Sequence, residues 1–134
     1  MSKSLIQTSN QSTQTVAVNS VIAPGTVIRR YGCNCRLSGN GIEIDGAGYY
    51  EVDVAVTVTP NAAGNVTVAL FKDGVQVPGT IATGSVTTVG NSTTLPIITT
   101  LRKGCECDGA SNITLVLTAG ASTVSNVSVR VVKS

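Results

Sequence analysis

The stretch "GYYEVDVAVTVTP", residues 48–60, decides the fold. Tyr50, Val52, Val54, Val56 and Val58 alternate with Glu51, Asp53, Ala55, Thr57 and Thr59, and in an extended chain successive side chains point to opposite faces. Alternation sustained over this length predicts a long strand with its valine face turned inward. Pro60, which has no N–H to give to a ladder, marks its end.

The neighbouring segments repeat the pattern in shorter form. "NVTVALFKDG" (65–74) sets Val66, Val68 and Leu70 on one face and stops at Asp73-Gly74, a turn signal because Gly accepts positive φ without steric cost. "NITLVLTAG" (112–120) does the same with Ile113, Leu115 and Leu117, and "NVSVRVVKS" (126–134) with Val127, Val129 and Val131. "GIEIDG" (41–46) supplies Ile42 and Ile44, and "TLPIITTLR" (94–102) supplies a strand in which Pro96 marks an edge, a bulge or a start. With "TVAV" (15–18), "TVIRR" (26–30) and "TIATGSVTTV" (80–89), the count reaches about eight to ten strands. No segment keeps apolar residues at helical spacing. An all-β sandwich follows, as one domain over residues 15–134, preceded by a polar, poorly ordered N-terminal arm over residues 1–14.

Composition narrows the function classes. Among 134 residues the formal net charge is +2 and charged residues make up 12%, about half the usual share. There is no basic stripe for nucleic acid and no cationic cluster for a membrane surface, so neither partner is expected. Few charges on a Thr-, Ser- and Asn-rich surface imply that copies of the chain cover part of it. The first residues lack an apolar segment of signal-peptide length, and no window reaches the roughly 20 apolar residues of a membrane span. Synthesis in the cytoplasm is the expectation.

The chain contains no histidine, which removes the commonest general base and the usual Ser and Cys triads. An enzyme is therefore not expected. Glu43, Asp45, Glu51 and Asp53 form the one carboxylate cluster, read as a solvated face rather than a glycosidase pair. "GNGIEIDGAG" (39–48) is Gly-rich but lacks the Lys-Ser/Thr of a phosphate-binding loop. The pairs Arg29-Arg30 and Arg102-Lys103 are expected to ion-pair with Glu51, Asp53, Glu106 or Asp108. Tyr49 and Tyr50, opening the longest strand, are read as packing residues.

All four cysteines fall in two echoes, "RRYGCNC" (29–35) and "LRKGCECDG" (101–109). Each sets a basic pair and a Gly ahead of Cys-x-Cys. On a strand, residues two apart share a face, so Cys33 should project beside Cys35 and Cys105 beside Cys107. Three states are open: two disulfides between the motifs, closing a loop of about 70 residues and worth roughly 3 to 5 kcal/mol; a structural zinc held by Cys33, Cys35, Cys105 and Cys107; or four free thiols. One-residue spacing is a weaker zinc signal than Cys-x-x-Cys. In each state the role is structural, and no other cofactor is expected.

The segments "GIEIDGAGYYEVDVAVTVTP", "VTVALFKDGVQVPGT" and "NITLVLTAGASTVSNVSVRVVK" together resemble the jelly-roll trimers of the tumour-necrosis-factor and complement-globular-head class. They are most similar to the bacterial and phage relatives of that class, namely the heads of collagen-like spore-surface proteins and small prophage structural proteins. The shared pattern is Gly-x-Tyr opening a long valine strand, then Lys-Asp-Gly-x-x-Val-x-Gly, then two closing strands, and it spans Thr15 to Lys133. The resemblance implies a jelly roll of about ten antiparallel strands assembling as a homotrimer, with Ala55, Thr57, Thr99 and Val132 on the face toward the axis. It further implies a non-enzymatic phage or prophage virion protein, a trimeric capsid decoration or head- or tail-fibre component bound to a repeating particle surface and residing in the virion. The alternative is a bacterial surface or spore-coat adhesion head binding a carbohydrate or protein receptor. The chain has no collagen-like stalk, and the Cys-x-Cys pairs depart from the animal pattern.

Overall fold

In the computed structural model, which describes residues 3–103 and 110–133, Tyr50, Val52, Val54, Val56 and Val58 are no more than 3% exposed. They line the inner face of one strand, Gly48–Pro60. In chain order the strands are β1 (Ser4–Asn10), β2 (Gln14–Val16), β3 (Ser20–Ile22), β4 (Thr26–Tyr31), β5 (Cys35–Ser38), β6 (Gly41–Ile44), β7 (Gly48–Pro60), β8 (Gly64–Lys72), β9 (Val75–Gln76), β10 (Ala82–Val86), β11 (Thr93–Lys103), β12 (Ser111–Ala119) and β13 (Ser122–Lys133). Several are short segments beyond the eight to ten expected; β3, β5 and β9 carry too few residues to show a period.

Two antiparallel sheets result. The first runs β11-β7-β13-β1-β4, with β2 also on β13, and the second runs β10-β8-β12-β6-β5, with β3 on β12 and β9 on β8. From β6 to β8 and again from β10 to β13, each step along the chain crosses to the opposite sheet, which is the jelly-roll connection. The expected inner faces of β8, β12 and β13 are observed: Val66, Val68, Leu70, Ile113, Leu115, Leu117, Val127, Val129 and Val131 are all buried in one cluster with the β7 valines. No helix among the described residues is long and apolar enough to cross a membrane.

Pro96 stands opposite Ala55 on β11, the end strand of the first sheet, where a residue without an N–H is tolerated. Thr99 differs from expectation. It pairs with Val52 and so faces the core, and the outward positions of β11 are Thr94, Pro96, Ile98, Thr100 and Arg102. A register shift between Val124 and Asn126 adds one residue to β13, so that Val124 and Val127, three apart, are both fully buried.

The largest departure concerns residues 4–10, which were expected to lie in a poorly ordered arm. They form β1, paired with β13 on one side and β4 on the other. Its inward residues are Ser4, Ile6 and Thr8, each 0% exposed, and two hydroxyl side chains among three core positions hide the strand pattern from a hydropathy reading.

Thr8 also carries a cost. Its Oγ1 is buried with no hydrogen-bond partner among the described residues. Replacing it by the isosteric Val removes an unsatisfied hydroxyl, so Thr8→Val should stabilise the chain by about 1 kcal/mol. Chemical denaturation of both proteins measures this, and an unchanged or lowered midpoint would show that the hydroxyl is satisfied in solution.

Candidate functional site

The first Cys-x-Cys motif lies where β4 turns into β5. Gly32 has φ of 78°, and a Cβ there would come within 2.5 Å of the Lys3 carbonyl oxygen, so this position requires glycine. The turn takes Cys33 off the strand. Cys33 is exposed, whereas Cys35 opens β5 and is 0% exposed, so the two thiols do not share a face as strand spacing predicts. Ser4 and Asn34 brace the turn: Asn34 N–H donates to Ser4 Oγ at 3.1 Å, and Ser4 Oγ donates to Asn34 Oδ1 at 3.0 Å. Arg30 Nε donates to the Cys35 carbonyl at 3.0 Å.

Both thiols are unpaired among the described residues, and those residues hold no group of three or more Cys, Asp or Glu placed to bind a metal. Cys105 and Cys107, with Glu106 and Asp108, lie outside the described residues. The flanks of that segment are defined. Lys103 ends β11 opposite Gly48, and Ser111 opens β12 opposite Ile44, which itself pairs with Cys35. Lys103 is 3% exposed and donates to Ser111 Oγ at 3.3 Å.

Burial pushes the Cys35 thiol up to about 11, against the opposing pull of Arg30 and Lys133. Two outcomes follow. Alkylation of the folded protein near pH 8 should modify Cys33 and spare Cys35, as read by peptide mapping, because the thiolate is the nucleophile; equal labelling would show that the β5 end opens. In the window from about pH 9 to 11 the folded chain holds a Cys35 proton that the unfolded chain has released, so stability contributed by this group is full below pH 9 and declines as pH rises through 11.

The carboxylates sort into ion pairs rather than a reactive pair. Glu43 Oε2 sits 2.7 Å from Arg36 Nε, Asp45 Oδ2 sits 3.9 Å from Arg36 Nη1, and Asp53 Oδ2 sits 3.0 Å from Arg130 Nη1. Thus Asp53 takes Arg130, not one of the expected basic pairs, because Arg130 lies directly across from it on β13. Glu51 has no ion pair among the described residues. Arg36 and Arg130 carried no sequence signal; only their register exposes them as partners. Tyr50 is packed as expected, its hydroxyl proton shared between the carbonyls of Asp45 and Gly46 at 2.8 and 2.7 Å. Tyr49 is instead 56% exposed.

That exposure belongs to a larger surface, the outward face of the first sheet. Register places Pro96, Ala55, Ser128 and Ser9 in one row across it, Ile98, Asp53, Arg130, Gln7 and Arg29 in the next, and Thr100, Glu51, Val132, Leu5 and Tyr31 in the one after. Ile98 is 78% exposed there, and Tyr31 53%. The outward side of the second sheet instead carries the Arg36–Glu43 pair and a Thr67–Thr83 hydroxyl contact of 3.1 Å. Two grooves also open on the described surface. One of about 300 Å³ is lined by Ser9, Asn10, Gln11, Ser12, Gly25, Thr26 and Ile28, without an ionisable group. The other, of about 240 Å³, runs beside Lys72, Val75 and Arg102, without a carboxylate or a thiol.

No protein-family model matches the sequence, and no curated protein matches it. Solved structures do. Murine APRIL is 10% identical over 99% of this chain and 100% of its own, with a TM-score of 0.76. The globular domain of zebrafish complement 1qA is 8% identical over 94% of each chain, with a TM-score of 0.70. The PRD1 vertex protein P5 is 10% identical over 97% of this chain and 96% of its own, with a TM-score of 0.62. At such identities likeness establishes architecture, and the chain has the jelly-roll fold of the tumour necrosis factor and complement globular head type.

Proposed function

We propose that this chain is a non-enzymatic structural protein of a phage particle, working as a homotrimer that decorates a capsid or forms part of a head or tail fibre. The observation that carries the reading is the outward face of the first sheet. It presents Ile98, Tyr49 and Tyr31 to solvent together with Ala55, Thr57 and Ser128 and around the self-neutralised Asp53–Arg130 pair, and exposed apolar residues gathered on one face mark an interaction site. A second copy is the simplest cover for it, since most homo-oligomers close by rotation and bury surface between copies of one chain. The fold shared with a vertex protein supports a place on a repeating particle surface. On this reading the protein is made in the host cytoplasm and ends in the virion.

The Cys-x-Cys pairs have a structural role, as disulfides, as a zinc site or as free thiols; of the first pair, Cys35 sits at the end of the sandwich where it aligns with Ile44 and Ser111. Native mass spectrometry without and with reductant tests both parts. The expected species is a trimer, whose mass reads the thiol state: heavier by zinc, lighter by the hydrogens lost on oxidation, or unmodified with free thiols. Ala55→Arg, placing a long cation on the outward face opposite Pro96 and Ser128, should yield a folded monomer. A monomeric parent protein would remove the trimer and with it this function.

A further inference from the structure

Glu51, Arg29 and Arg102 stand on the outward face of the first sheet without an ion-pair partner among the described residues, and the first two lie toward opposite sides of it. Glu51, on β7, is exposed and lies in the row with Val132, Leu5 and Tyr31. Arg29, on β4 at the sheet's far end, is exposed and lies in the next row, opposite Gln7. Strands β13 and β1 separate them, so at about 4.8 Å per strand they stand roughly 14 Å apart and cannot meet within one chain. Between them, Arg130 and Asp53 already neutralise one another at 3.0 Å.

Resting on the trimer reading above, we propose that Arg29 of one protomer pairs with Glu51 of the next, once at each interface around the ring. Rotational packing brings different parts of one surface together: the β4 side of one copy meets the β7 and β11 side of its neighbour. A cation at one side and an anion at the other make the face complementary to itself in that head-to-tail sense, and burial of either charge alone would leave it unpaired. The pair thus fixes how neighbouring copies align, while the apolar residues supply the attraction. Arg102 is the other cation near Glu51, diagonal to it across the β7–β11 pairing, and its side chain is not within ion-pair distance of Glu51.

Sedimentation across a dilution series of the wild-type chain, Arg29→Glu, Glu51→Arg and the double reversal tests the inference, with circular dichroism reporting the fold. Each single reversal sets like charges against each other and should raise the concentration at which the trimer dissociates by about tenfold or more. The double reversal should restore assembly toward the wild-type value. Singles that dissociate like the wild type, or a double reversal no better than the singles, would overturn the pairing and leave the trimer standing. A wild-type monomer would overturn both.

Discussion

A chain lacking residues 1–10 is expected to lose its cooperative unfolding transition, and to be recovered mainly in the insoluble fraction. These residues carry β1, which lies inside the first sheet with β13 and β4 on its two sides. Removing it exposes the inner edge of β13, strips β4 of the strand that holds it, and opens the core where Ile6 is 0% exposed. Burying an Ile side chain alone is worth about 2 kcal/mol or more, and the lost ladder bonds contribute about 1 kcal/mol apiece. Their sum is comparable to the roughly 5–15 kcal/mol that separates folded from unfolded domains. The deletion also removes the Ser4–Asn34 brace beneath the Cys33 turn. Thermal melts followed by circular dichroism read the result, and a truncated chain melting within about 5 °C of the intact one would show that the strand is dispensable.

Val54→Asp should abolish folding as well, by a different route. Val54 is 3% exposed, and Val129 and Ile97 stand opposite it on the flanking strands. A carboxylate there meets only apolar side chains, the inward lysines Lys103 and Lys133 standing at the far end of the sheet opposite Gly48 and Tyr50, and burying an unpaired charge costs several kcal/mol even after relaxation. Asp53→Asn, one residue earlier, serves as the control. That side chain faces outward and its pair with Arg130 is half-exposed, so its loss should change stability by no more than about 1 kcal/mol. A soluble Val54→Asp protein with a cooperative melt would mean that the register of β7 is wrong, and with it the assignment of both faces of the first sheet.

The candidate site was legible in the sequence only in part. The Gly before Cys33 carried a signal that structure explains: it permits the positive φ at which the chain leaves β4. Strand geometry nonetheless misplaced Cys33, because a two-residue period applies only while the backbone stays extended, and here a turn intervenes. Thr99 was assigned to the outward face for want of a register, which the pairing with Val52 supplies. Arg130 and Asp53 are 77 residues apart, a separation across which no local pattern can announce a contact.

The alternation of Val with polar residues in β7, β8, β12 and β13, with Gly and Asn-Gly or Asp-Gly turns between strands, by itself determined an all-β sandwich and which side chains form its core. Side-chain direction in an extended chain is a local property, so this much needs no knowledge of partners. The tertiary structure decided the rest: that a hydroxyl-bearing segment at 4–10 is an internal strand, that Val124 and Val127 both face inward across a bulge, and that Arg36 and Arg130 pair with Glu43, Asp45 and Asp53. Each of these depends on which distant strand lies alongside, and pairing between segments far apart in the chain is selected by the packing of the whole sandwich rather than by the residues of either segment.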